Sequence, residues 1–402
     1  MRKCFTAVPL LCMLVFFTSA GTTASAQSIA KTCEYEQTQG ENPDQRTMNC
    51  LLTEAALMYD VPPEIVKAIA ETESGDWRHF DDNGEAIITD DGGIGIMQIT
   101  NQANYDEERL KKDVVYNIQA GVEILDGMFK RSDLPTINGN ERDVLEHWYF
   151  SIMAYNGTKP INSPVVQASG ERNSEAYQEK VFDMIKRYGL IDVQRLPFKP
   201  EDFRYDNNSD ANIEFVTMDY HFELPFTNTK HHFKKGQKAA ATTNARVRAR
   251  PTTSSSSKGQ LNKGEIVSIE GTFQYEEDRN KKNHFVWYPI KRSDGTTGYV
   301  ASSYLDYRYS DVPAGRYSED AIYYLTKRGI LQGVGNDQFA PEQRLTRWQA
   351  ALMLVRAHNV SLENRPDPGF TDVPYDYEYY DVIAAAVDEG LFEGKDDNKF
   401  DP

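Results

Sequence analysis

The stretch Ile65-Val66-Lys67-Ala68-Ile69-Ala70-Glu71-Thr72-Glu73-Ser74-Gly75 reads as one helix that ends beside a carboxylate. Pro62 and Pro63 suit the first turn, where a missing N–H costs little. Ile65, Ala68, Ile69 and Thr72 recur at the spacing of one helical face. Glu64, Lys67 and Glu71 share another. Gly75 is a natural stop, because glycine tolerates the left-handed residue that follows a helix. Glu73 keeps helical phase with Ile65 and Ile69, so it projects from the apolar side, whereas Glu71 follows the polar stripe.

The two glutamates are therefore unequal. Burial disfavours a carboxylate's charge, and the negative end of the helix dipole adds to that. Both raise the pKa and suit a general acid near neutral pH. A structural glutamate satisfied by a hydrogen bond leaves the same local pattern, so the rest of the chain has to decide.

The chain has 402 residues, enough for two to four domains. Its formal net charge of -17 argues against generic nucleic-acid binding and against bulk attraction to an anionic membrane or wall polymer. Met1-Arg2-Lys3, an apolar run over Cys4–Phe17 and Ala24-Ser25-Ala26 have the layout of a secretory signal peptide, residues 1–26, cut before Gln27. That run is too short for a membrane span, and no later segment is apolar enough. Cys33 and Cys50 remain in the mature chain. In an oxidising compartment they are expected to form one disulfide, tying the N-terminus to the first helix; two unpaired small apolar residues are the alternative.

Residues 33–190 read as mainly helical, with helices expected over 47–59, 114–129, 142–155 and 174–188 and a short strand over 85–89. Between the second helix and the third lie the acids Asp81, Asp82, Asp90 and Asp91, then Gly92-Gly93-Ile94-Gly95-Ile96-Met97-Gln98. The fourth helix closes in Ala154-Tyr155-Asn156-Gly157.

Glu73-Ser74-Gly75, then Gly95-Ile96-Met97-Gln98, then Ala154-Tyr155-Asn156-Gly157, in this order, resemble the lysozyme-like domain of soluble lytic transglycosylases and goose-type lysozymes over roughly residues 45–190. The resemblance implies an α-rich enzyme domain with Glu73 as catalytic acid/base. It also implies a sugar cleft lined by Ser74, Met97, Gln98, Tyr155 and Asn156, with Tyr155 and Asn156 orienting Glu73 or the substrate's acetamido group. Ile96 stands where the family commonly has leucine. One high-pKa acid is enough for such an enzyme, since the muramic acid's own hydroxyl can attack the anomeric carbon. An ordinary glycosidase needs a second carboxylate. An aspartate of the acidic loop could position a water instead, giving a hydrolytic muramidase.

Residues 191–240 read as an irregular connector able to pack on the enzyme domain, with a strand or two within 213–224. Lys230, Lys234, Lys235, Lys238, Arg246, Arg248 and Arg250 form a local basic run, either a solvated linker or a contact for anionic wall polymer. Short alternating segments between turn signals over 241–307 suggest a small β-barrel. Arg246-Val247-Arg248, Lys263-Gly264-Glu265, Trp287-Tyr288 and Asp294-Gly295 leading to Gly298-Tyr299-Val300 are similar to bacterial SH3-like domains, which implies a wall-targeting module with Trp287 and Tyr299 in its core.

The last segment repeats. Asp311-Val312-Pro313 recurs as Asp372-Val373-Pro374, and one ungapped offset also joins Ile322 to Ile383, Gly329 to Gly390, Gly333 to Gly394 and Phe339 to Phe400. These units, 308–368 and 369–402, resemble α-helical S-layer homology repeats. Thr346-Arg347-Trp348-Gln349 stands where that family has Thr-Arg-Ala-Glu, so Arg347 is the residue implied to bind anionic secondary wall polymer. The second unit's counterpart falls beyond Pro402, so the chain is expected to be a fragment of a longer one. No metal or cofactor is expected, as no histidine or cysteine set has ligand spacing. The expected function is a secreted, wall-anchored transglycosylase acting on peptidoglycan glycan strands. A hydrolytic muramidase and a non-catalytic wall-binding protein are the alternatives.

Overall fold

The computed structural model describes residues 20–100, 103–206, 209–222, 224–313, 315–335 and 338–402. Most of the leader expected at 1–26 lies outside them; its last residues run into helix α1 (Ala20–Thr32). Among the described residues no helix is long and apolar enough to cross a membrane.

A helical unit follows: α2 (Gln45–Met58), α3 (Pro63–Ser74), α4 (Glu107–Lys112), α5 (Val114–Phe129), α6 (Tyr149–Asn156) and α7 (Tyr177–Gly189). Asp44 caps α2, its carboxylate accepting from the Thr47 N–H. Cys50 on α2 is disulfide-bonded to Cys33, which fixes the chain after α1 onto the bundle. Leu51, Leu52, Ile65, Ile69, Ile118, Val122, Trp148, Ile152 and Ile185 are fully buried between these helices. Each such side chain contributes about 1.5–3 kcal/mol.

Three expected elements differ. The helix over 142–155 is broken: a 3-10 turn, Leu145–Trp148, precedes α6. Val144 is drawn instead into a bridge with Asn228, and the Trp148 indole takes the Arg142 carbonyl. The strand over 85–89 is reduced to isolated bridges, Phe80 with Ala86 and Ile88 with Ile94. Helix α7 starts at Tyr177, where Asn162 Oδ1 accepts the Tyr177 N–H at 3.1 Å.

Residues 191–226 pack on the helical unit. Ile191, Phe203, Ile213, Tyr220 and Phe226 belong to the helical unit's own core. Phe150 of α6 gathers the rings of Phe198, Phe203, Phe215 and Tyr220 around it. Two short ladders support them: β1 (Thr136–Ile137) runs parallel to β4 (Asp219–Tyr220), and β2 (Phe203–Arg204) pairs with β3 (Glu214–Phe215).

Seven further strands form one antiparallel sheet: β5 (Lys238–Ala241), β6 (Ala245–Arg248), β7 (Ser257–Leu261), β8 (Ile266–Ile269), β9 (Trp287–Lys291), β10 (Thr297–Ala301) and β11 (Leu305–Arg308). Their spatial order is β11-β5-β8-β9-β10-β6-β7. Ala239, Val247, Val267, Ile269, Tyr288, Ile290 and Leu305 alternate into its core. Trp287 is buried beside Phe285, with Tyr299 packed against them. Part of the basic run is taken up in structure, while Lys234, Lys235, Arg246 and Arg250 stay exposed. Lys230 is buried and ion-paired with Asp306, and Lys238 lies in β5 with its amine 2.6 Å from the Ser268 hydroxyl.

The last segment carries α8 (Glu319–Lys327), α9 (Arg347–Ala357) and α10 (Tyr380–Asp388). The sequence repeat has a geometric counterpart. Asp311 accepts from the N–H groups of Phe339 and Ala340 at 2.8 and 2.7 Å. Asp372 accepts from those of Phe400 and Asp401, both at 2.8 Å. Helix α9 packs on α10 of the next repeat through Ala351, Val355, Ile383 and Ala384. Trp348 stacks on Tyr379.

Candidate functional site

Helix α3 puts Glu73 in its last turn, and Gly75 closes the helix at φ 58°. The side chain opens into a cleft of about 360 Å³ lined by Glu73, Thr89, Asp91, Gln98, Ile99, Thr100, Ile124, Tyr155 and Asn156. Burial pushes the Glu73 carboxyl up to about 7, against the opposing effect of a hydrogen bond from Tyr177, and the Asp91 charge adds to the rise. Glu73 is thus poised to carry a proton near neutrality. Asp91 stays ionised: hydrogen bonds from the Thr89 hydroxyl and the Gly93 N–H hold its carboxyl below the usual range.

The three sequence motifs meet here by different routes. The Gly95 backbone passes so close to the imidazole of His79 that an added Cβ would fall 2.3 Å from it, so only glycine fits. His79 Nδ1 accepts the Ile96 N–H, and Asn117 on α5 accepts the Met97 N–H at 3.0 Å and donates to the Ile94 carbonyl. The loop is thereby nailed to α5. Gln98 is left in the left-handed region at φ 48°. Its Oε1 lies 2.7 Å from the Thr89 hydroxyl.

Several sequence-assigned residues are placed differently from expectation. The Met97 side chain does not line the cleft; it is fully buried against Gly121, and only its carbonyl takes part, accepting from the Tyr155 hydroxyl at 2.7 Å. An unbranched apolar side chain fills that gap better than it serves a wet groove. The Ser74 hydroxyl turns back to the Ala70 carbonyl at 2.7 Å. Tyr155 and Asn156 do line the cleft, but neither bonds Glu73. Asn156 Oδ1 accepts from Asn162, whose own Oδ1 accepts the Tyr177 N–H. Tyr177 Oη donates to Glu73 Oε1. The Ala-Tyr-Asn-Gly stretch therefore reaches the acid through Asn162 and Tyr177. No motif marks Tyr177 in the sequence; a hydroxyl at the N-terminal turn of an amphipathic helix is the sole signal there.

In the acidic loop, Asp81 caps the backbone N–H groups of Asn83 and Glu85, and Asp82 pairs with Arg78. Asp91 alone of the four lines the cleft. Arg347 is partly buried, and its guanidinium donates to the carbonyls of Phe400 at 2.7 Å and Glu393 at 2.6 Å, between the rings of Phe392 and Phe400. Its fork ties one repeat to the next.

Residues 51–178 match the family model "Transglycosylase SLT domain", 243–306 "Bacterial SH3 domain", and 308–351 with 369–402 "S-layer homology domain". The chain joins these three domain types. Curated relatives include the surface-layer 125 kDa protein of Lysinibacillus sphaericus, 38% identical over 86 residues, 21% of this chain and 7% of that protein. The S-layer protein sap of Bacillus anthracis is 33% identical over 94 residues, 23% of this chain and 11% of the relative. The outer membrane protein SlpA of Thermus thermophilus is 41% identical over 49 residues, 12% and 5% of the two chains. The chain thus spans about a tenth or less of these relatives' lengths. No solved structure matches the chain.

Proposed function

We propose that this chain is a secreted lytic transglycosylase that cleaves the β-1,4 bond between N-acetylmuramic acid and N-acetylglucosamine, held at the cell wall by its SH3-like and S-layer homology units. The observation that carries the reading is Glu73 itself: a carboxyl at a helix end, in a cleft, with its proton retained to about pH 7. Glycosidic oxygen is a poor leaving group unless protonated, so such an acid supplies the first step.

In that step Glu73 donates its proton to the glycosidic oxygen as the bond to the anomeric carbon breaks. The muramic acid's primary hydroxyl then forms the new C–O bond, and its proton passes to the Glu73 carboxylate. This gives a 1,6-anhydro end and regenerates the acid. The Tyr177 hydroxyl holds Glu73 Oε1 throughout, and Gln98, Tyr155 and Asn156 are placed to contact the sugar. The S-layer names of the relatives agree with a wall address.

Asp91 favours a second reading. An ionised carboxylate in the same cleft could orient a water at the anomeric carbon, making the enzyme a hydrolytic muramidase. Digestion of purified peptidoglycan followed by mass spectrometry separates the readings. Anhydro-muramic ends support transglycosylation, reducing ends support hydrolysis, and equal product from wild type and Glu73→Gln removes Glu73 as the acid. Binding without product would make the unit a glycan-binding module.

A further inference from the structure

The face of α3 opposite its apolar stripe is buried under another part of the chain. Lys67 is fully buried, with its amine 3.1 Å from His231 Nε2 and 2.8 Å from the His284 carbonyl. Glu64 accepts from the Thr229 hydroxyl, the Lys230 N–H and His231 Nδ1. The segment between β8 and β9 lies along the two helices. The Tyr275 hydroxyl donates to Glu54 at 2.8 Å, and Asn49 donates to the carbonyls of Asn283 and Phe285 at 2.5 and 3.2 Å. The SH3-like unit is therefore seated on the enzyme unit, not suspended from it.

One part of this contact reaches the turn that leaves Glu73. Gly75, Asp76 and Trp77 have φ of 58°, 53° and 54° in succession. Two of these residues are not glycine, and L-residues hold that conformation only where their surroundings impose it. What imposes it comes largely from the SH3-like unit. The Lys282 amine lies 2.8 Å from Glu71 Oε1 and 3.0 Å from Asp76 Oδ1, bracketing Glu73 on both sides in sequence. The Trp77 ring stacks on His284, and its indole N–H donates to the Lys67 carbonyl. Tyr188 of α7 closes the other side of His284, at 5.0 Å between ring centroids.

We propose that Lys282 of the SH3-like unit is a positioning residue for Glu73, fixing the strained exit of α3 so that the acid is aimed into the cleft. The docked unit is then a working part of the enzyme as well as a wall module. This rests on the reading of Glu73 as the acid.

The test uses the full chain with soluble peptidoglycan glycan strands as substrate. Lys282→Ala is expected to lower kcat about ten- to a hundredfold, the cost of a small misplacement of a reacting group. KM should stay within about twofold, since Lys282 touches no sugar-facing residue. Lys282→Arg should restore most of kcat, because it keeps the cation between Glu71 and Asp76. Lys281→Ala, beside it but directed at the Ser254 hydroxyl, should behave as wild type. Folded fraction is followed by circular dichroism. An unchanged kcat in Lys282→Ala, a loss that only tracks the folded fraction, or no rescue by arginine overturns the proposal. Glu73→Gln separates the two levels. If it stays active, the reading of the acid fails; if it is dead while Lys282→Ala is fully active, the positioning role alone fails.

Discussion

Helix α3 buries carboxylates on two sides and treats them in opposite ways. On its docked side Glu64 accepts from the Thr229 hydroxyl, and His231 and the Lys230 N–H hold its carboxyl well below the usual range despite complete burial. Across from it, burial brings the Lys67 amine down to about 7, with Glu64 opposing the fall. On the cleft side Glu73 has, among the described residues, one hydroxyl donor and no cation partner, and its carboxyl rises to about 7. Burial is common to both. What differs is compensation: a carboxylate given donors and a cation becomes a fixed structural charge, and one denied them becomes a proton donor.

The largest test of that contrast is Glu73→Gln. Removing a general acid costs about 10²–10⁴ in rate, measured as product released from peptidoglycan. Stability should move the other way. Glu73 binds its proton more tightly folded, to about 7, than its ordinary value of 4.5, so its contribution is full below pH 4.5 and lost as pH rises through 7. Glu73→Gln is therefore expected to melt above wild type at pH 8, by about 1–3 kcal/mol in free energy, and close to it at pH 4. Equal melting curves at both pH values would break the contrast.

On the docked side the sign reverses. Glu64→Ala leaves Lys67 and His231 buried without their carboxylate and should cost about 3–5 kcal/mol in urea unfolding near neutral pH. No catalytic gain or pH shift is expected from the molecules that remain folded.

Tyr177→Phe sharpens the cleft side. It removes one hydrogen bond to the acid, about 1.5–3 kcal/mol or about ten- to a hundredfold in kcat. Because that bond favours the ionised form, its loss should move the alkaline limb of the pH–rate profile upward. Asp91→Asn is the smallest change. Removing a neighbouring negative charge should shift the same limb slightly downward, by less than about one pH unit. If it also removes reducing-end products while sparing anhydro ends, Asp91 serves a minor hydrolytic branch.

Much of the site could be read from local pattern. Helical phase separates Glu73 from Glu71 because the apolar positions around it are Ile65 and Ile69. The pairing of Cys33 with Cys50 is expected from the sequence and is present. What the sequence left out lies where a side chain has more than one use. Met97 sits in a sequence that suggests a sugar groove, yet its side chain fills the space over Gly121, and only its carbonyl serves Tyr155. Arg347 sits in a motif that suggests an anion, and its fork also ties two carbonyls of the next repeat. Residues 191–226 look irregular because short ladders and ring contacts have no period to detect.

The sequence by itself determined the helix that ends at Gly75, the glutamate it presents, the repeat beginning at Asp311, and three domain types in order. The helix and the repeat rest on spacing along the chain, which local backbone geometry converts directly into faces and turns; the domain types rest on resemblance to known families. Only the tertiary structure decided which groups keep Glu73 protonated, that Tyr177 reaches it, and that Lys282 and His284 come back from more than two hundred residues away to hold the turn beside it. A pKa and a strained turn are set by what surrounds them in space. Those neighbours are fixed by packing, which no local reading of the chain contains.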